Sequence, residues 1–226
     1  MQIHRPSVVR LVVALLAASV GPALAHHSLV ERVKDGPAAA NTRESYRYLE
    51  LGENCDDDAT KLQWYNRGKE LANLAVLQDD GSAEAHFALF ANWGRWLQTD
   101  GWLKNSFRLP AVWKELDRTL ELDPNHPDAL AAKGGMYLQL PRFLGGDIDK
   151  AVPLLVRSIE LDPHGVGARL ELADCYLHQH RPDAARDLAA VAMRLAVEQD
   201  KPRFIRRAEA LLEEAGPGPQ QAEAKR

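Results

Sequence analysis

The sequence predicts an all-α fold, a solenoid of helical hairpins, and three observations predict it. The stretch Thr119-Leu120-Glu121-Leu122-Asp123-Pro124 recurs as Ser158-Ile159-Glu160-Leu161-Asp162-Pro163, with the prolines 39 residues apart. Each copy is followed by a short polar step and then a new apolar-periodic segment, which reads as helix end, turn and helix start at a fixed interval. No run of alternating apolar and polar residues is long enough for a strand.

The elements follow in order. Residues 26–41 contain Gly36-Pro37 and no sustained period, and read as a lead-in segment. Residues 42–54 read as a helix with Tyr48, Leu49 and Leu51 at its apolar positions. Asp56-Asp57-Asp58 caps a second helix, where acidic side chains favour the positive end of the dipole. That helix carries Leu62, Tyr65, Leu71, Leu74 and Val76 and stops at Asp79-Asp80-Gly81. Ser82 caps a helix over 83–98, and Pro110 in a first turn opens one running to 122. Asn125-His126-Pro127 starts a helix ending near 140, and Asp147 after Gly145-Gly146 caps 148–160. Residues 165–179 and 182–199 form the next antiparallel pair. Residues 201–215 read as the closing helix that an open solenoid needs for solubility. Gly216-Pro217-Gly218-Pro219 ends order, and 216–226 read as a disordered tail. The helical domain thus spans 42–215, with about four units and a C-terminal capping helix.

The chain opens on a processing signal over 1–25. Arg5 and Arg10 supply a basic start, 8–20 is mostly apolar, and Ala23-Leu24-Ala25 is a small-x-small cleavage site. The apolar run is short for a membrane span, so the expectation is a cleaved, periplasmic or secreted product with no membrane insertion after cleavage. The full chain carries 28 basic and 32 acidic residues, and removing 1–25 leaves a balance of −6 (26 − 32). Such an acidic product is not built to coat nucleic acid or anionic lipid. Cys55 and Cys175 fall in the first and fourth units, beyond the Cα separation a disulfide allows. Both are expected to be free, one in the core and one near a helix end.

The spacing of small and large residues resembles the tetratricopeptide repeat (TPR) family. Leu130, Lys133, Gly134 and Tyr137, followed by Ala151, Leu155, Ser158 and Pro163, occupy the positions of that family's pattern. So do Leu172, Ala173 and Tyr176 with Ala185, Ala189 and Ala192. Phe90, Trp93, Gly94 and Leu97 with Val112, Leu116, Thr119 and Pro124 match more loosely. The resemblance implies a TPR-like scaffold that binds a protein or peptide partner through its concave face and inserted loops. Its inner-face positions would be Ala91, Arg95, Ala131, Gly135, Leu170 and Asp174, which lack the Lys/Asn pattern of the family's carboxylate-gripping members. The loop ending in Gly145-Gly146-Asp147 is also similar to the TPR-like T component of TRAP-type transporters. That similarity implies the alternative of a periplasmic accessory holding a small hydrophobic ligand or a solute-binding protein.

Two intra-unit turns depart from the pattern. The step from Leu97 to Val112 is 15 residues and that from Tyr137 to Ala151 is 14, so segments 99–109 and 141–146 are insertions, of the kind that map to a functional face. In stacked units they would lie on one edge. The assigned partner-binding residues are Arg95, Trp102, Phe107, Arg108, Gln139, Arg142 and Phe143. Trp64, Trp93 and Trp113 are expected in the core. His26, His27, His178 and His180 do not converge in the repeat register, so no metal and no cofactor are assigned. No nucleophile elbow or phosphate loop is present, and an enzyme is not expected. N-terminal sequencing of exported material is expected to begin at His26; an intact Met1 terminus on cytosolic protein would exclude export.

Overall fold

The computed structural model describes residues 29–101 and 103–217. The expected signal, His26-His27, Trp102 and the tail beyond Pro217 lie outside the described residues. Among the described residues the secondary structure is helical, and no helix is long and apolar enough to cross a membrane. The chain divides into two compact units, His26–Ala129 and Leu130–Arg226, with the boundary inside one helix.

In the first unit α1 is Leu29–Arg32, α2 Ala39–Glu53, α3 Asp58–Gln78, α4 Ala83–Asp100 and α5 Leu109–Leu122. Sequence neighbours pack on one another from α2 to α5, and α2 also reaches α4. The caps are those the sequence indicates: Asp57 accepts from the Thr60 N–H and Ser82 from the Ala85 N–H. Close packing rests on missing side-chain atoms. A Cβ on Gly52 would stand 2.3 Å from the Tyr65 ring, and one on Gly68 would stand 2.0 Å from the Asn92 side chain. Buried Asn92 donates to Ser45 Oγ at 2.9 Å and to the Ala88 carbonyl at 3.0 Å, tying α4 to α2. His86 spans α4 and α5, with Nδ1 2.7 Å from Glu115 Oε2. Burial favours its neutral form, but Glu115 and the Asp80 carbonyl outweigh this and push the imidazole above its ordinary value.

The segment read as a lead-in is docked. Leu29 and Val33 are buried, Arg32 pairs with Asp128, and Arg43 donates to the Val33 carbonyl. Its apolar residues are too few for a periodicity, so only their tertiary partners reveal the docking.

In the second unit α6 (Pro127–Gln139, counted from Leu130) is followed by α7 Ile148–Leu161, α8 Gly167–His178, α9 Pro182–Glu198 and α10 Pro202–Ala215. Ala185, Ala189, Ala192 and Ala196 form a fully buried stripe on α9 that lets its neighbours approach. Ala131, Ala151, Leu155, Ala168, Leu172 and Cys175 form a second cluster. Gly134 crosses α7 closely, as its family position implies: a Cβ there would stand 2.6 Å from Leu155 Cγ and 3.2 Å from the Ala151 carbonyl. The closing helix is present, and Arg186 of α9 holds its end by donating to the Ala215 and Gly216 carbonyls.

The Leu-Asp-Pro recurrence has a geometric cause. Asp123 and Asp162 leave their helices with nearly equal dihedrals (φ −135°, ψ 91° and φ −126°, ψ 88°). Each side chain accepts the N–H two residues on, Asn125 at 3.0 Å and His164 at 3.1 Å. Each carbonyl accepts the N–H three residues on, from His126 and Gly165. Asp79 makes the same turn without a proline: its side chain accepts from Gly81 at 3.1 Å and its carbonyl from Ser82. It is a third copy that the Leu-Asp-Pro spelling hides.

Trp64, Trp93 and Trp113 are half-buried rather than core; the buried aromatic positions go to Tyr46, Tyr65, Phe87 and Phe204. Both cysteines are free. Cys175 is fully buried, and burial together with Glu171 and Asp174 pushes its thiol up to about 12, while Cys55 is half-exposed after α2.

Two measurements check this packing. Gly134→Leu is expected to lower unfolding free energy by about 1–3 kcal/mol through overpacking. Gly94→Ala, whose Cβ would meet nothing within 4 Å, is expected to raise it by about 0.5–1 kcal/mol; denaturant titration compares them. In thiol titration Cys55 is expected to react in the native protein and Cys175 only on unfolding.

Candidate functional site

The first insertion belongs to the unit His26–Ala129. Helix α4 runs to Asp100 and ends on Gly101, whose φ of +107° lies in the region open to glycine. Asn105 is buried and donates to Asp100 Oδ2 at 2.7 Å and to the Gly101 carbonyl at 3.1 Å. Hydrogen bonds from Asn105 and Lys104 hold the Asp100 carboxyl below its ordinary range. A 3-10 turn, Ser106–Arg108, then delivers the chain to α5. The loop is thus wound by its own polar groups, while Phe107 is left 73% exposed with Leu103 also exposed.

Arg108 lies against two rings, its guanidinium carbon 5.2 Å from the Phe107 centroid and 5.5 Å from that of Trp96. Lys69 Nζ of α3 stands 5.7 Å from the same Trp96 centroid. Lys69 and Trp96 join Phe107 and Arg108 through the crossing of α3 and α4, which no spacing in the sequence announces. Arg95 is engaged elsewhere: Nε and Nη2 both lie 3.0 Å from Glu53 Oε1, and Nη1 donates to Gln98. It ties α4 to α2. Trp102 lies outside the described residues.

The second insertion belongs to the unit Leu130–Arg226. A 3-10 turn, Arg142–Leu144, ends on Gly145 in the left-handed region at φ +97°. A Cβ on Gly146 would stand 1.6 Å from the Leu140 carbonyl oxygen, so only glycine fits. The Asp147 N–H closes the loop on the Tyr137 carbonyl at 2.8 Å, and the Asp147 side chain caps α7. Arg142 is exposed and Phe143 is 84% exposed. Gln139 is engaged by Glu171, with Nε2 3.4 and 3.5 Å from its two oxygens.

The expected inner-face positions need correction. Ala91, Ala131 and Leu170 are buried in the packing, and Gly135 is covered by Glu171 and Gln139. Asp174 is taken by Arg207, which comes from α10: Nη1 lies 2.8 Å from fully buried Glu171, and Nη2 3.5 Å from Asp174. Burial raises the Asp174 carboxyl against the opposing pull of Arg207. The pair Glu171–Arg207 was not legible in the sequence, because its members are 36 residues apart and meet only when α10 packs on α8. Glu171→Ala is expected to cost about 3 kcal/mol by leaving Arg207 without its main partner. Glu171→Leu with Arg207→Met is expected to recover much of that loss in thermal unfolding.

A sequence model of the tetratricopeptide repeat family matches residues 142–203. Among solved structures, TTC0263, a thermophilic TPR protein of Thermus thermophilus, is 22% identical. That match covers 76% of this chain and 93% of the other, with a TM-score of 0.52. The MamA MSR-1 C2 structure is 17% identical over 78% of this chain and 99% of its own, with a TM-score of 0.42. No curated protein matches the sequence. The chain has the tetratricopeptide repeat fold, and its residues 142–203 match the repeat of that family.

Proposed function

We propose that this protein is an exported TPR scaffold that binds a protein partner through its two inserted loops. The TPR fold suggests an interaction scaffold. The observation that carries the reading is the state of the loops. Each is wound tightly by its own hydrogen bonds and glycines, yet each presents a large aromatic side chain, Phe107 or Phe143, to solvent. Rigid apolar area of this kind is what dominates binding energy once a partner covers it. The export half of the proposal rests on the basic, apolar and small-residue start of the chain. Of the residues assigned from sequence, Phe107, Arg108, Arg142 and Phe143 suit this role, whereas Arg95 and Gln139 are held by Glu53 and Glu171.

Photocrosslinkers at positions 107 and 143 are expected to capture the partner from the cell envelope. Phe107→Ala and Phe143→Ala are then expected to weaken its binding by about 1–3 kcal/mol, with little change in Tm because neither ring packs in the core. A large loss of Tm with unchanged binding would retire the loops as the contact surface.

A further inference from the structure

We propose that Lys69, Trp96, Phe107 and Arg108 form an anion-binding site that takes a carboxylate from an acidic segment of a protein partner; this rests on the scaffold reading and names the chemistry of one of its contacts. Two cations share one indole, each within 6 Å of the Trp96 centroid. Other closely held cations meet carboxylates, as in Arg95–Glu53 and Arg207–Glu171, or backbone carbonyls, as Arg169 does at Gly165 and Pro163. Among the described residues, neither the Lys69 nor the Arg108 side chain has a hydrogen bond or an ion pair, and Arg108 Nε is buried without a partner. The nearby carboxylates are already engaged. Glu70 is held by Arg67 at 3.1 Å and Asn66 at 3.0 Å, and Asp100 by Lys104 at 3.0 Å and Asn105 at 2.7 Å.

Both cations lie by Trp96 in a half-buried setting, and burial and then Arg108 lower the Lys69 ammonium from its ordinary value against the opposing pull of Glu70. An anion between them offsets the repulsion and gains charge-assisted hydrogen bonds. The rings prepare the site, because an arginine stacked on aromatic faces loses less freedom on binding. The scale of the site selects the ligand. Nucleic acid and anionic lipid surfaces are held by extended basic surfaces, whereas this chain is net acidic at −4 and offers two cations beside an exposed phenylalanine. A carboxylate next to an apolar side chain in a peptide fits that arrangement.

The test uses the full chain and a fluorescein-labelled peptide of four glutamates and one phenylalanine, with the four-glutamine analogue as control. Saturable, salt-sensitive binding of the glutamate peptide is expected, together with a shift of the Trp96 indole N–H resonance, assigned through Trp96→Phe. Lys69→Met and Arg108→Met are each expected to weaken binding about tenfold, the size of one charge-assisted contact. Arg108→Lys, which keeps the charge and loses the planar stack, should fall between. Arg194→Met, which removes an exposed charge in the other unit, should leave peptide binding unchanged, and circular dichroism of each variant checks that it folds. Equal binding by the two peptides, or full binding by folded Lys69→Met and Arg108→Met, overturns the site. So does tighter binding of phosphatidylglycerol vesicles or single-stranded DNA that is lost in the same variants. If partner capture still depends on Phe143 while the peptide response is absent, the carboxylate site fails and the scaffold reading stands.

Discussion

The first three units each depend on one turn, the aspartate that closes the second helix. At Asp79, Asp123 and Asp162 the chain leaves the helix in extended conformation, and a single residue satisfies two downstream N–H groups, one through its side chain and one through its carbonyl. Its own N–H still donates to the carbonyl four residues back, at Ala75, Thr119 or Ser158. The helix therefore ends sharply, and the N–H groups of the turn that follows are already paired. Proline after Asp123 and Asp162 stiffens the turn, but the turn itself belongs to aspartate, since Asp79 is followed by Asp80 and makes the same hydrogen bonds.

Once those turns set the spacing, the helices must approach closely, and the residues at the crossings are correspondingly small. Gly52 lies under Tyr65, Gly68 under Asn92 and Gly134 over Leu155, while α9 meets its neighbours through a stripe of alanines. Trp64, Trp93, Trp96 and Trp113 lie at half-buried positions, and Trp96 is available to the two cations beside it.

The same constraint explains where added chain can go. A closely packed helix pair cannot absorb extra residues within its crossings, so they collect in the turn inside the unit. There each insertion satisfies its own backbone: Asn105 reaches back to Gly101, and Asp147 returns to Tyr137. With the polar work done locally, the aromatic tips at Phe107 and Phe143 have no packing role. The polar side chains expected on the inner face are instead spent on holding helices together, Arg95 on Glu53 and Asp174 on Arg207.

By itself the sequence determined the helical class, the helix caps, the order of the elements and the positions of both insertions. These rest on interactions between residues a few positions apart: a cap and its third residue, a glycine and its own φ, an aspartate and the next N–H groups. It also placed Gly134 at a close crossing, because the repeat carries that long-range contact as a pattern of residue sizes. Tertiary structure alone decided the rest. The docking of Leu29 and Val33, the burial of Ala91, Ala131 and Leu170, and the pairing of Glu171 with Arg207 follow from which helices meet. The meeting of Lys69 with Trp96 and Arg108 is of the same kind. A charge or an indole has no periodicity that reveals its partner across a helix crossing, and only the packed helices bring such groups together.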